Sequence, residues 1–241
     1  MKIFCLSDVH LLPTGSELDD LEFSRKLVWA LAAYDEVVII GDLLEMYAAM
    51  GRKKAHFEKI RAGYPRTFSL IESNPKIKLV NGNHDDGCLD FFYRRDLLFP
   101  GGKSFNRLII NGYMFMHGHQ ADVMYSSGLM ESVSEFVVRR VFWLESFFSR
   151  FTGFRITKRF VDGQRKKRVG ADSQRKYAEK FLRANPKLRG IVMGHTHVPL
   201  MEFYGKQIYL NTGAWVNGDA FLLDTTTGAV EKYSKEAFYD A

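Results

Sequence analysis

Six of the seven histidines stand in short clusters with aspartate or asparagine. These are Asp8-Val9-His10, Gly82-Asn83-His84-Asp85, His117-Gly118-His119 and Gly194-His195-Thr196-His197, and Gly41-Asp42 adds a fifth cluster of the same kind. Imidazole, carboxylate and carboxamide are the nitrogen and oxygen donors that borderline divalent metals prefer. The clusters are too far apart in sequence to form one loop, so a shared site requires a fold that brings them together. As ordinary strand-end residues, His195 and His197 would each need a separate buried partner. Two cations held close together need a bridging anion plus two or three further ligands each, and such a pair can activate water and stabilise a phosphoryl transition state. The clusters supply that inventory. His119 reads three ways: a donor behind a ligand, a substrate contact or a solvated loop residue. His56, among Lys53, Lys54 and Lys59, reads as simply exposed.

The elements that must position these clusters are short apolar runs ending at them: Ile3 to Leu6, Val37 to Ile40, Ile77 to Val80, Tyr113 to Met116 and Ile191 to Met193. Runs of this length, rich in Val and Ile, read as buried strands with functional loops at their carboxyl ends. Phe23, Leu27, Ala30 and Leu31 fall at helical spacing between the first two runs, which predicts a β-α-β unit and a parallel strand pair. Residues 52 to 73 repeat the helical step, interrupted at Gly63 and Pro65. Asn111-Gly112 is a hairpin signal because both residues tolerate positive φ, and further hairpins are expected at Tyr204-Gly205-Lys206 and Thr226-Thr227-Gly228. Parallel crossovers and antiparallel hairpins together predict an α/β fold of layered mixed β-sheets flanked by helices.

Residues from about 124 to 185 depart from this rhythm and predict a helical insertion. Leu129, Val133, Phe136, Val137, Val141, Leu144, Phe147, Phe148 and Phe151 keep a period near 3.6, with Val138, Phe142 and Trp143 adding apolar surface on other faces. The basic stretch Arg165-Lys166-Lys167-Arg168 follows, and then a second helical pattern through Tyr177, Phe181 and Leu182. The net charge of +6 is concentrated here. From Arg139 to Arg183 there are 14 Lys/Arg against 4 Asp/Glu, so this segment carries +10 and the rest −4.

With 241 residues, 46% of them hydrophobic, the chain is long enough for one large domain, 1–241, that carries the insertion. No repeat or low-complexity segment points to a fibrous or disordered class. The two cysteines, Cys5 and Cys88, give no disulfide framework. The apolar run at Met1 is too short for a signal peptide and no uninterrupted run reaches membrane-spanning length, so a cytoplasmic location is expected, with peripheral membrane contact open.

The ordered set Asp-x-His, Gly-Asp, Gly-Asn-His-Asp, a lone His and Gly-His-x-His closely resembles the signature of the calcineurin-like metallophosphoesterase superfamily. The resemblance covers the chain apart from the insertion. It implies that Asp8, His10 and His197 bind a first metal and that Asp42 bridges to a second held by Asn83, His117 and His195. It also implies His84 as general acid, Asp85 as its orienting partner, and a metal-bridging hydroxide as nucleophile. Imidazole suits proton donation to a leaving alkoxide near neutrality. Two divalent ions are the implied cofactors, Mn²⁺ first, with Fe or Zn as alternatives.

Within the superfamily, the chain length, the run Gly41-Asp42-Leu43-Leu44-Glu45 and the insertion resemble the UDP-2,3-diacylglucosamine diphosphatase branch of lipid A synthesis. That likeness implies an acylated UDP-sugar substrate and contact with an anionic membrane, which an apolar helix beside a basic segment would suit. In the alternative, the insertion's phenylalanines simply pack on the core. Two residues depart from the branch: His84 stands where it has Arg, and His119 where it has Asp. A retained His84 fits phosphomonoester or phosphodiester cleavage, so the second reading is a phosphatase or phosphodiesterase acting on nucleotides or nucleic acid. A non-catalytic scaffold is a distant third.

Overall fold

The computed structural model describes residues 1–13, 19–49, 52–85, 104–121 and 164–233. Its strands form two mixed sheets. The first runs in the order β11 (Val230–Tyr233), β10 (Ala220–Asp224), β1 (Lys2–Leu6), β2 (Glu36–Ile40), β3 (Ile77–Val80) and β4 (Ser104–Phe105). The second runs β5 (Leu108–Ile110), β6 (Tyr113–Phe115), β7 (Gly190–Met193), β9 (Gln207–Asn211) and β8 (Leu200–Tyr204). The sheets face each other across Ile3, Cys5, Val38, Ile40 and Val80 on one side and Phe115, Val192, Ile208 and Leu210 on the other, all buried. The alternate residues of β1 and β2 point outward. Phe4, Leu6, Val37 and Ile39 pack under α1 (Asp20–Ala33), α2 (Lys53–Gly63) and α3 (Pro65–Ser73). On the far side Met114, Met116, Ile191 and Met193 pack against Ala178 and Leu182 of α4 (Gln164–Ala184). The result is the expected helix-flanked α/β sandwich, and its central strands are apolar on both faces because both faces are covered.

The predicted crossover is present: β1 pairs in parallel with β2, and β2 with β3. Asp19 caps α1, its carboxylate accepting from Leu21 N at 2.8 Å and Glu22 N at 3.1 Å, an arrangement worth about 1 kcal/mol. The break at Gly63 and Pro65 divides two helices, with Pro65 at the first turn of α3, where its missing N–H costs nothing. The β5–β6 hairpin turns at Asn111 (φ 48°) and Gly112 (φ 82°), both in the left-handed region a type I′ turn demands. The other two hairpins also form, joining β8 to β9 and β10 to β11.

Two expectations change. The basic stretch Arg165-Lys166-Lys167-Arg168 lies inside α4 rather than ahead of it, in keeping with the good helix propensity of Arg and Lys. His56 is not simply exposed: its ring Nε2 lies 3.0 Å from the carbonyl of Glu45, because the packing of α2 turns it toward the loop after β2. The long apolar pattern from Leu129 to Phe151, like Cys88, falls outside the described residues. No described helix is long and apolar enough to cross a membrane.

Candidate metal centre

The parallel pairing of β1 and β2 continues past the strand ends into the loops. Asp8 N donates to Gly41 O, Val9 N and His10 N to Asp42 O, and Leu11 N to Leu43 O, at 2.9–3.1 Å. This extension places Asp8 and His10 beside Asp42 and Glu45. From the second sheet, β6 delivers His117 and β7 delivers His195 and His197 to the same end of the sandwich.

Two groups of donors result. In the first, Asp8, His10 and His197 converge, with His197 Nε2 3.1 Å from Asp8 Oδ1 and 3.4 Å from His10 Nε2. In the second, Asp42, His117 and His195 converge, with His117 Nε2 3.0 Å from Asp42 Oδ2. The same Asp42 Oδ2 lies 4.0 Å from His10 Nε2. Asp42 therefore stands between the groups, its other oxygen held by His84 N at 2.8 Å. Gly82 makes this approach possible, since a Cβ there would lie 2.1 Å from Asp42 Oδ1.

The donor set fits a dinuclear metal site. Asn83 Oδ1 is buried with no hydrogen-bond partner, and buried Asp8 Oδ1 and His117 Nε2 face only other members of the donor groups, His197 Nε2 at 3.1 Å and Asp42 Oδ2 at 3.0 Å; a cation would satisfy all three. His117 Nδ1 lies 2.8 Å from the carbonyl of Ile40. Donation there fixes the tautomer that presents Nε2 as a metal-ligand lone pair. Burial alone would lower the pKa of His117, but the adjacent Asp42 carboxylate outweighs it and raises the value to about 10. In the metal-free chain a proton thus serves the charge balance that a cation would serve. Burial also opposes ionisation of Asp42, yet the cationic histidines around it hold its carboxyl well below the usual range.

Backbone strain marks the same residues. Among the described residues, six other than glycine have positive φ, and five of them are Asp8, His10, Asp42, His195 and His197. Left-handed backbone costs a side-chain-bearing residue about 1–2 kcal/mol and persists only where the surroundings impose it. Here it is imposed where donors must turn inward.

A third group joins His10, Glu45 and His84. Glu45 Oε2 lies 2.8 Å from His84 Nδ1 and 3.2 Å from His10 Nδ1. Burial would disfavour its charge, but His84 and His10 outweigh that and bring its pKa to about 2. For His84, burial likewise pushes the pKa down, and the charges of Glu45 and Asp42 overcome it to reach about 9. The expected partner of His84, Asp85, is engaged elsewhere: its carboxylate accepts from Gly82 N, Asp42 N and Leu44 N at 2.7–2.9 Å. Asp85 thus ties two loops together while Glu45 faces the imidazole. Tyr47 adds to this arrangement, its ring 4.4 Å from that of His84 and its hydroxyl 3.3 Å from Asn83 Nδ2.

His119 belongs to this region as well, its ring 5.6 Å from that of His117 and 6.3 Å from that of His195. Burial first, and then the charges of His117 and His195, push its pKa down to about 3, so it is neutral. The sequence alone assigns no role to Glu45 or Tyr47. A carboxylate three residues past Asp42, in an otherwise apolar run, was the available signal for Glu45.

A family model for the calcineurin-like phosphoesterase superfamily domain matches residues 1–226. No curated protein matches the chain. Among solved structures, an archaeal phosphodiesterase is 15% identical, with 97% of this chain and 99% of that chain covered and a TM-score of 0.46. The phosphoesterase YfcE of E. coli is 16% identical, with 97% and 99% covered and a TM-score of 0.41. Vacuolar protein sorting 29 from Cryptosporidium parvum is 14% identical, with 97% and 98% covered and a TM-score of 0.45. With its family model matched over nearly the whole sequence and its paired His/Asp clusters in place, this chain belongs to the calcineurin-like phosphoesterase superfamily and is a metal-dependent phosphoesterase.

Proposed function

We propose that the chain hydrolyses phosphodiesters or phosphomonoesters with alkoxide or aryloxide leaving groups, nucleotides among them. The observation that carries this reading is His84, held at Nδ1 by Glu45 at 2.8 Å beside the shared Asp42. In this reading Asp8, His10 and His197 hold one divalent cation and Asn83, His117 and His195 the other, with Asp42 common to both. Bound there, such ions supply an activated water and neutralise charge on the phosphoryl group.

The chain's own residues do the rest. Donation from His84 Nδ1 to Glu45 leaves Nε2 to protonate the departing oxygen, and the Glu45 carboxylate favours the protonated ring. The backbone of His84 is fixed on both sides, its N–H on Asp42 and its carbonyl accepting from Met46 N at 2.9 Å. Tyr47 accepts from the carboxamide nitrogen of Asn83, which would leave the carboxamide oxygen to face a cation. Asp85 acts through the loops it joins. The whole chain, 1–241, is read as one domain with an insertion at about 124–185.

A second reading, cleavage of an acylated UDP-sugar at a membrane surface, draws support from the +10 balance of residues 139–183. The apolar sequence pattern it invokes, Leu129 to Phe151, lies outside the described residues. A departing phosphate needs its charge neutralised more than it needs a proton, so the held His84 favours the ester reading. The choice of Mn²⁺ over Fe or Zn rests on the resemblance alone.

Turnover of bis(p-nitrophenyl) phosphate, a nucleoside monophosphate and a UDP-diacyl-sugar, each with Mn²⁺, tests the proposal. Hydrolysis of either of the first two at rates well above the third is expected. Turnover confined to the UDP-diacyl-sugar would overturn it.

A further inference from the structure

Gln174 is a polar residue on the apolar stripe of α4, three and four positions before Tyr177 and Ala178, and it is only 1% exposed. A carboxamide buried among side chains of this kind costs stability unless its groups are satisfied. Three hydrogen bonds offset that cost, and all of them run to the strand ends beside the His195 loop. Gln174 Nε2 donates to the carbonyl of Gly194 at 3.0 Å, and its Oε1 accepts from the Tyr209 hydroxyl at 2.7 Å and from Asn211 Nδ2. Asn211 Nδ2 also lies 2.8 Å from Gly194 O and 3.1 Å from Thr196 Oγ1.

The Gly194–His195 peptide is therefore gripped at both ends: two side-chain amides hold its carbonyl, and its N–H donates to Asp8 Oδ2 at 2.9 Å. That grip accounts for the left-handed φ of 74° at His195, a conformation that relaxes unless its surroundings fix it. Gln174 also packs on the other loop of the same donor group. A Cβ on Gly118, next to His117, would lie 2.0 Å from Gln174 Nε2. One buried amide from a helix thus touches both loops that carry the histidines of the Asp42, His117 and His195 group.

We infer that Gln174 is a positioning residue that sets the His117 and His195 loops in register for the second cation. This rests on the metal-centre reading proposed above. Its counterpart without that role is Gln207, whose Nε2 ties β9 to Asn185 O at 3.1 Å and Leu188 O at 2.8 Å, just beyond the other end of α4.

Calorimetric titration of the metal-free protein with Mn²⁺ separates the possibilities. The parent should bind two ions. In Gln174→Met, which keeps the length of the side chain but not its hydrogen bonds, one binding step should weaken at least about tenfold, ~1.4 kcal/mol, and the other by less than about threefold. Gln207→Leu should leave both steps in place at a comparable loss of thermal stability. Gln174→Glu keeps the acceptor for Tyr209 and Asn211 but lacks the donor to Gly194, so it should reproduce the one-step weakening and serves if Gln174→Met does not fold. Unchanged affinities in a folded Gln174 variant, equal weakening of both steps, or the same one-step loss in Gln207→Leu would overturn the inference. A parent that binds fewer than two ions would overturn the metal-centre reading and this inference with it.

Discussion

The Glu45 carboxylate and the His84 imidazole meet at 2.8 Å, with Oε2 against Nδ1. Glu45 comes from the loop after β2 and His84 from the loop after β3, so the contact joins two strand ends that are neighbours in the sheet. It has a measurable consequence for the protonation of His84.

In the metal-free protein His84 should titrate at about 9, and in Glu45→Gln it should fall toward the ordinary value near 6.5. A histidine whose pKa is raised on folding contributes stability that is fully present below its unfolded pKa and lost as pH rises through the folded one. The stability gap between metal-free parent and Glu45→Gln should therefore be widest at about pH 6 and narrow toward pH 9. NMR titration of the His84 ring and thermal midpoints across that range check both. A ring that still titrates near 9 in the variant would remove Glu45 from this role.

Asp42→Ala should cost at least about a hundredfold in turnover, ~2.7 kcal/mol of barrier, and at least one bound metal. No other described carboxylate lies 3.0 Å from His117 Nε2 and within 4.0 Å of His10 Nε2 at once. Metal analysis showing two ions still bound, with near-parental turnover, would disprove the shared role.

His84→Ala should slow esters with alkyl leaving groups by roughly 10²–10⁴-fold, the usual scale of general-acid assistance. Nitrophenyl esters, whose leaving oxygen needs little help, should lose far less. Steady-state rates on a matched pair decide this, and equal losses would assign His84 to binding instead.

Phe4→Ala should destabilise the fold by about 3–5 kcal/mol without altering metal stoichiometry. Phe4 is buried on the outer face of the first sheet, its ring centroid within 5.5–6.3 Å of Trp29, Tyr34, Trp215 and Tyr233. It is removed from the donor groups, since its face packs on helices while the site lies at the strand ends. Urea denaturation and metal analysis together test the separation.

Features that depend on local spacing are legible in the amino-acid order. Short unbroken apolar runs placed the strands, Asn111-Gly112 placed a hairpin, and the donor types of Asp8, His10, Asp42, Asn83, His117, His195 and His197 named the chemistry. These are legible because backbone geometry and ligand preference act over a few residues. Tertiary structure alone decided which donors share a group, that Asp42 stands between two of them, and that His84 faces Glu45 while Asp85 faces backbone amides. It also decided that His56 turns inward and that Gln174 reaches the His195 loop from a helix. Those relations depend on sheet order and on distances of a few ångströms between residues tens of positions apart. Loop pairing and packing set them, and no local pattern encodes them.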